Sequence, residues 1–385
     1  MCIPTKIMFG FGQLSELHNQ SLPGKRALVV ISNGKSTRAS GYLDRVQSEL
    51  NCANVESFVF DKVQANPIKT TVEEGAAFSK EHKCDFVVAL GGGSVMDTAK
   101  AIAVMATNSG DLWDYALGGT GKSKQIPITP LPVIAITTTA GTGSEVDAVG
   151  VITNQETHEK MGIGSPALFP KIAVVDPDLM MTVPAKLTAY QGFDALFHSL
   201  EGYINKKANL MSDMYALTAI ENVGAYLARA VRDGSDKKAR EHMAFANTLS
   251  GVVMVISGCT SEHSLEHALS AYHEQLTHGA GLIMLSASYF TYFIEHHVCD
   301  DRFITLARTL GIKDATKPED FITALINLQK ACGVDNLKMS DFGITPDEFE
   351  KFSKNAHSAM ARLFVNDRIT LDDAACVEIY TKAYR

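Results

Sequence analysis

Twelve histidines are spread over 385 residues, and four of them crowd into residues 261–279, SEHSLEHALSAYHEQLTHG: His263, His267, His273 and His278. About 65 residues upstream, the segment YQGFDALFHSLEGY sets Asp194 and His198 four apart. A helix turns once per ~3.6 residues, so positions four apart lie on one face. Asp194 and His198 then present a carboxylate beside an imidazole, and His263 and His267 present two imidazoles in the same way. One carboxylate and three imidazoles form an N/O ligand set suited to a divalent transition metal such as iron or zinc. An isolated histidine on an apolar helix is usually a hydrogen-bonded core residue, and an Asp-x-x-x-His pair is common by chance. Four crowded histidines and a second polar pair in an apolar segment favour the metal. Asp194, near Phe193 and Leu196, would otherwise bury an unpaired charge at high cost. His278 cannot share one straight helix with His263, because fifteen residues at ~1.5 Å each would carry it ~22 Å away. The chain must turn back, and residues 275–279 (QLTHG) are the place for it.

These groups need elements to position them. Residues 1–184 alternate. Short β-branched runs at 26–32, 55–60, 85–90, 132–137 and 172–176 are read as strands, with helical patterns at 37–50 and 69–82 between the early ones. Strands alternating with helices indicate a parallel sheet, and apolar, non-alternating strands suit burial on both faces. From Pro184, a first-turn residue, the period changes to 3.6. Helices are expected at 184–203, 211–232, 238–254, 261–272, 281–293, 301–310, 318–332, 346–361 and 371–382, with no clear strand. The expected fold class is an α/β nucleotide-binding domain with a parallel sheet, residues 1–184, followed by an all-α metal-binding and catalytic domain, residues 185–385.

Two loops in the first half could hold a phosphate. The run DFVVAL leads into Gly91-Gly92-Gly93-Ser94-Val95-Met96-Asp97-Thr98-Ala99-Lys100 and then a helix. Glycines there let the backbone approach a ligand closely and adopt positive φ, while free N–H groups at the helix start attract an anion. The run PVIAIT leads into Thr137-Thr138-Thr139-Ala140-Gly141-Thr142-Gly143-Ser144-Glu145. Ligands bind outside the carboxyl ends of strands in open parallel sheets. Hydroxyl-rich turns also cap helices, but two such loops on one edge suit a dinucleotide.

Composition excludes several classes. Hydrophobic residues make up 46% and charged residues 20%, ordinary globular values. A net charge of −8 argues against non-specific nucleic-acid binding. No apolar run has the length a bilayer needs, so no membrane is expected. Seven scattered cysteines with no C-x-x-C pair indicate reduced thiols and a cytoplasmic protein.

Together, GGGSVMDTAK, TTTAGTGSE, DPDLMMTVPAKLTAYQGFDALFHSLEGY and HSLEHALSAYHEQLTHG resemble the iron-containing (group III) alcohol dehydrogenase family. The resemblance spans nearly the whole chain, with four motifs in the right order. It implies an active site in a cleft between the two domains, a homo-oligomer, a small alcohol or aldehyde substrate, Fe2+ (or Zn2+), and NAD(H) or NADP(H). Carried over, the metal ligands are Asp194, His198, His263 and His278, with His267 close by as the catalytic proton carrier. The cofactor would touch Gly92, Gly93, Ser94, Asp97, Thr138, Thr139, Thr142 and Lys160. Asp147, Val149, Met254 and Arg362 would face the substrate. Two positions depart from the pattern. NAD-preferring relatives often carry an acid after the first nucleotide-domain strand, where this chain reads Ser32-Asn33-Gly34-Lys35-Ser36. Relatives usually place small residues before a Leu-Phe-like pocket segment, where this chain reads Ala359-Met360-Ala361-Arg362-Leu363-Phe364.

The expected activity is the interconversion of a short-chain primary alcohol and its aldehyde. An aldehyde with an anionic tail, such as sulfoacetaldehyde or a phosphono-aldehyde, is the alternative. A dehydroquinate-synthase-like lyase would need basic residues around a phosphate, and few accompany the metal motifs. A nucleotide-binding protein with a structural metal would leave no position for substrate.

Overall fold

The computed structural model describes residues 2–385, which divide into two compact units, one ending at Thr182 and the other spanning Val183–Arg385. The first holds eight strands: β1 (Lys6–Phe9), β2 (Arg26–Ser32), β3 (Glu56–Val63), β4 (Phe86–Gly91), β5 (Val133–Thr137), β6 (Val149–Asn154), β7 (Glu159–Gly164) and β8 (Ile172–Val175). Six form a parallel sheet in the order β1-β8-β5-β4-β2-β3. Its middle strands are buried on both faces: every residue of β4 and β5 lies inside, as their unbroken apolar runs require.

Register then places the two loops. Val87 pairs with Val133 and Gly91 with Thr137, so β4 and β5 end level with each other. The Thr138 N–H donates to Gly91 O at 3.1 Å, extending the ladder into both loops. The glycine-rich and threonine-rich segments therefore leave neighbouring strands at the same carboxyl edge.

Three strands are additional to the five expected. β1 is a short edge strand, buried only at Met8. β6 and β7 form a separate antiparallel hairpin, Val149 opposite Gly164 and Asn154 opposite Glu159. Their glycines and polar residues mask the apolar signal that marks a sheet-core strand. The helix expected at 37–50 is two, Ser36–Ala39 and Tyr42–Cys52, because Gly41 takes a left-handed φ of 69° between them.

The second unit is helical, and no strand follows Val175 among the described residues. Its main helices are Ala185–Ile204, Leu210–Arg232, Lys237–Ile256, Ser261–Tyr272, His278–Glu295, Asp300–Thr309, Glu319–Ala331, Phe349–Ala359 and Asp373–Ala383. Pro184 is the N-cap of the first rather than its first turn. The segment expected as one helix at 346–361 has a turn at Pro346–Glu348, the helix Phe349–Ala359, and after Met360 the short helix Ala361–Phe364. No single helix among the described residues is long and apolar enough to cross a membrane.

Aromatic packing orients the helices that carry the histidines. Phe193 and Phe197 share a face of Ala185–Ile204 and are fully buried. Asp194 and His198 follow each by one residue, about 100° round the axis. Phe197 packs on Phe290 of His278–Glu295 at 6.3 Å between centroids, and Phe290 meets Phe303 and Phe321 at 6.2 and 5.4 Å. Each such ring contributes about 1.5–3 kcal/mol by burial. At the start of His278–Glu295 the backbones themselves touch. A Cβ on Gly279 would stand 2.2 Å from the carbonyl oxygen of Tyr190. Gly279→Ala should therefore cost about 1–3 kcal/mol of stability, because the obstacle is backbone and cannot rotate away. Urea unfolding that matches the parent chain would show that the helices separate without loss.

Candidate functional site

Residues 261–271 of the Ser261–Tyr272 helix are all buried, though they include Glu262, His263, Ser264, Glu266, His267 and Ser270. Buried polar groups require partners: Ser261 meets Asp367 and Tyr289, Ser264 the carbonyls of Ala356 and Met360, and His263 lies beside Asp194. The Asp194 Oδ1 atom stands 3.6 Å from His198 Nδ1, 3.6 Å from His263 Nε2 and 3.6 Å from His278 Nε2. The rings of His198 and His263 stack at 4.4 Å, and those of His263 and His278 are 5.3 Å apart. Asp194, His263 and His278 form one tight group. His198 joins it through Asp194 and also groups with Cys259 and His263. His278 reaches the group because the chain breaks after Tyr272 and His278 opens the next helix.

The donor set fits a divalent ion. Asp194 Oδ1 and His263 Nε2 are buried and have no hydrogen-bond partner. A tetrahedron with metal–ligand bonds of about 2.1 Å has edges of about 3.4 Å, close to these separations. Burial alone would push the Asp194 carboxyl up, but His198, His263 and His278 outweigh it and hold it well below the usual range. Burial would likewise lower His263, yet Cys259, Glu201 and Asp194 raise it well above an ordinary imidazole. Imidazole nitrogens bind a metal only without their protons. A divalent ion would displace them.

Two carboxylates that sequence reasoning missed stand behind the rings. His263 Nδ1 donates to Glu201 Oε1, and His278 Nδ1 donates to Glu266 Oε2. A proton on Nδ1 leaves the Nε2 lone pair of each ring facing Asp194, which is how a carboxylate orients a metal-binding histidine. Glu201 is itself fixed by Thr260, whose N–H and hydroxyl donate to Oε2 at 2.8 and 3.0 Å. Spacing contains the clue: Glu201 lies seven residues after Asp194 and three after His198, and Glu266 three after His263, each on a shared helix face. His267 is buried on the same helix, its ring centroid 5.2 Å from that of His278.

In the first unit, Gly92 caps the Gly93–Thr107 helix with no side-chain hydrogen bond. The glycines differ from expectation. Gly92 has φ −85°, and none of the three is left-handed; that conformation falls to Gly143 in the other loop, at φ 63°. A Cβ on Gly93 would meet the Thr142 side chain at 2.3 Å, and one on Gly92 the Thr139 side chain at 2.8 Å. The glycines thus let the loops close on each other. Thr138, Thr139 and Thr142 are half-buried there, and the Ser94 hydroxyl donates to Ala65 O. Lys160 is buried on β7, opposite Thr153 of β6.

Asp97 and Asp147 have partners within this unit. Fully buried Lys100 donates from Nζ to Ser144 O, Ser144 Oγ, Asp147 Oδ1 and Val149 O at 2.7, 2.8, 2.7 and 2.9 Å. The Ser144 hydroxyl donates to Asp97 Oδ1 at 2.7 Å, and the Val151 N–H to Asp97 Oδ2 at 3.0 Å. Burial pushes the Asp97 carboxyl up to about 6, with Lys100 opposing. This network braces the threonine-rich loop against the helix. Met254 is half-buried at the end of Lys237–Ile256. Arg362 lies on Ala361–Phe364, which packs against Ser261–Tyr272. It is exposed by area, yet the surrounding protein lowers its guanidinium pKa, with Cys259 acting the other way.

Comparison with known proteins matches this architecture. Residues 4–177 fit the model of the iron-containing alcohol dehydrogenase family, and residues 188–384 that of its C-terminal region. The NAD-dependent methanol dehydrogenase of Bacillus methanolicus is 34% identical over 368 residues, covering 92% of each chain. The crystal structure of an archaeal halo-thermophilic alcohol dehydrogenase from a Red Sea brine pool superposes with a TM-score of 0.94 at 34% identity, covering 98% of this chain and 97% of that one. Sulfoacetaldehyde reductase from Bifidobacterium kashiwanohense, solved with NAD+, gives 0.85 at 29% identity, covering 99% and 97%. The chain belongs to the iron-containing alcohol dehydrogenase family and is an oxidoreductase.

Glu201→Ala and Glu266→Ala should each weaken metal binding about 10- to 100-fold by freeing the ring they orient. Competition with a chelator measures this. Unchanged affinity in both variants would mean that the carboxylates serve only the fold.

Proposed function

We propose that this chain is a metal-dependent, NAD(P)-linked enzyme that interconverts a short-chain primary alcohol and its aldehyde. The observation that carries the reading is the convergence of three imidazole nitrogens on the orphaned Asp194 Oδ1. Asp194, His198, His263 and His278 would hold the ion, and Glu201 and Glu266 would fix the rings. When bound, a divalent ion supplies positive charge that polarises the substrate oxygen, and the nicotinamide supplies the hydride. His267 would hold or pass the proton, since an imidazole can both accept and donate one. The first turn of Gly93–Thr107, with Ser94, would bind the pyrophosphate through free N–H groups, and Thr138, Thr139 and Thr142 would hold sugar hydroxyls.

An aldehyde and alcohol panel with NADH and NADPH, run on metal-analysed protein, tests this. His263→Ala and His278→Ala should abolish turnover and lower metal content. Full metal occupancy in both would overturn the ligand assignment. The end of β2, Ser32-Asn33-Gly34-Lys35, has no acid to repel a 2′-phosphate, so turnover with NADPH is expected.

Arg362 favours a second reading, an aldehyde with an anionic tail. No hydrogen bond or ion pair to its guanidinium occurs among the described residues, and the related sulfoacetaldehyde reductase has the same fold. A hydrogen bond between charged groups contributes about 1.5–3 kcal/mol, roughly 10- to 150-fold in affinity. Arg362→Ala should then lower kcat/KM at least about tenfold on sulfoacetaldehyde and little on propanal. Equal losses on both substrates would leave the neutral aldehyde as the better reading.

A further inference from the structure

Cys259 lies where the metal reading assigns it no role. It is buried just before the Ser261–Tyr272 helix, and its Sγ and one ring nitrogen each of His198 and His263 lie within 4.8 Å of one another. Two ligand sets therefore share a residue. One is Asp194, His263 and His278, with oxygen and nitrogen donors. The other is His198, Cys259 and His263, with a sulfur donor. The partnerless, buried His263 Nε2 belongs to a ring common to both.

We propose that Cys259 is a metal ligand in its own right, and that the His198–Cys259–His263 set captures thiophilic ions such as zinc or cadmium in preference to iron. The proposal rests on the metal reading above. Soft thiolate selects zinc, whereas a carboxylate with imidazoles accepts iron and zinc alike. A cysteine thiol carries its proton on sulfur until a metal takes the lone pair. Coordination removes that proton: the S–H bond breaks, the sulfur lone pair goes to the ion and the proton to solvent, with no change of oxidation state. A zinc ion drawn to sulfur would sit off-centre from Asp194 and His278. Metal identity would then change the position of the charge as well as its chemistry.

Cobalt(II) is the probe, as a spectroscopic stand-in for zinc, because thiolate ligation produces a near-ultraviolet charge-transfer band. The metal-free protein, in a background with the exposed Cys2 and Cys52 changed to serine, is given one equivalent. Per cobalt bound, the band should appear, vanish in Cys259→Ser and in His198→Ala, and persist in His278→Ala. Cys259→Ala serves if the serine variant misfolds, and thermal melting checks each. Elemental analysis of the same samples separates the outcomes. Cobalt bound without a band, a band that survives loss of Cys259, or one lost equally in His278→Ala overturns the proposal and leaves the metal reading intact. Failure to retain cobalt at all overturns both.

Discussion

A buried carboxylate oxygen that accepts no hydrogen bond is the constraint on which the helical unit depends. Asp194 Oδ1 cannot be left uncompensated in an apolar helix, since an unpaired buried charge costs several kcal/mol. Three imidazoles surround it at 3.6 Å, and two further carboxylates, Glu201 and Glu266, stand behind two of those rings. Three acids gathered with three imidazoles in a largely buried site need a cation or protons to balance their charge. Much of the surrounding structure keeps them together. Phe197 on Phe290 fixes the relation of two ligand-bearing helices, and Gly279 lets their backbones touch.

The sheet unit solves a different problem, that of presenting backbone donors at one edge. Level registration of β4 and β5 brings two loops out together. Glycine opposite threonine allows them to close, and the Lys100 network braces one of them. Lys100 has three protons and four nearby acceptors, so none of its hydrogen-bonding capacity is idle. Asp97, singled out in the sequence as a cofactor contact, spends both carboxylate oxygens on Ser144 and Val151.

Local pattern alone determined a good deal. Strand β2 and the Ser261–Tyr272 helix carry strong periodic signals and end where the sequence suggests. The α/β half and the helical half differ in period, and the pairs Asp194/His198 and His263/His267 follow from 3.6 residues per turn. The turn that brings His278 back was also legible, because one straight helix cannot place it near His263. Four motifs in order were enough to indicate the family.

Tertiary structure decided the rest. The β6–β7 hairpin and edge strand β1 are too short, polar or glycine-rich to carry a core-strand pattern, and pairing alone defines them. Helix 37–50 divides because Gly41 turns left-handed, a choice its neighbours do not dictate. Glu201 and Glu266 lie on the right faces, yet a buried glutamate becomes recognisable as a ring-orienting group only when a histidine nitrogen is seen against it. Cys259, four residues before His263, had no spacing to recommend it, because it precedes the helix and meets His198 across about sixty residues of chain. Periodicity reports which face a side chain occupies within its own element. Which faces meet is set by packing between elements, and the site is made of those meetings.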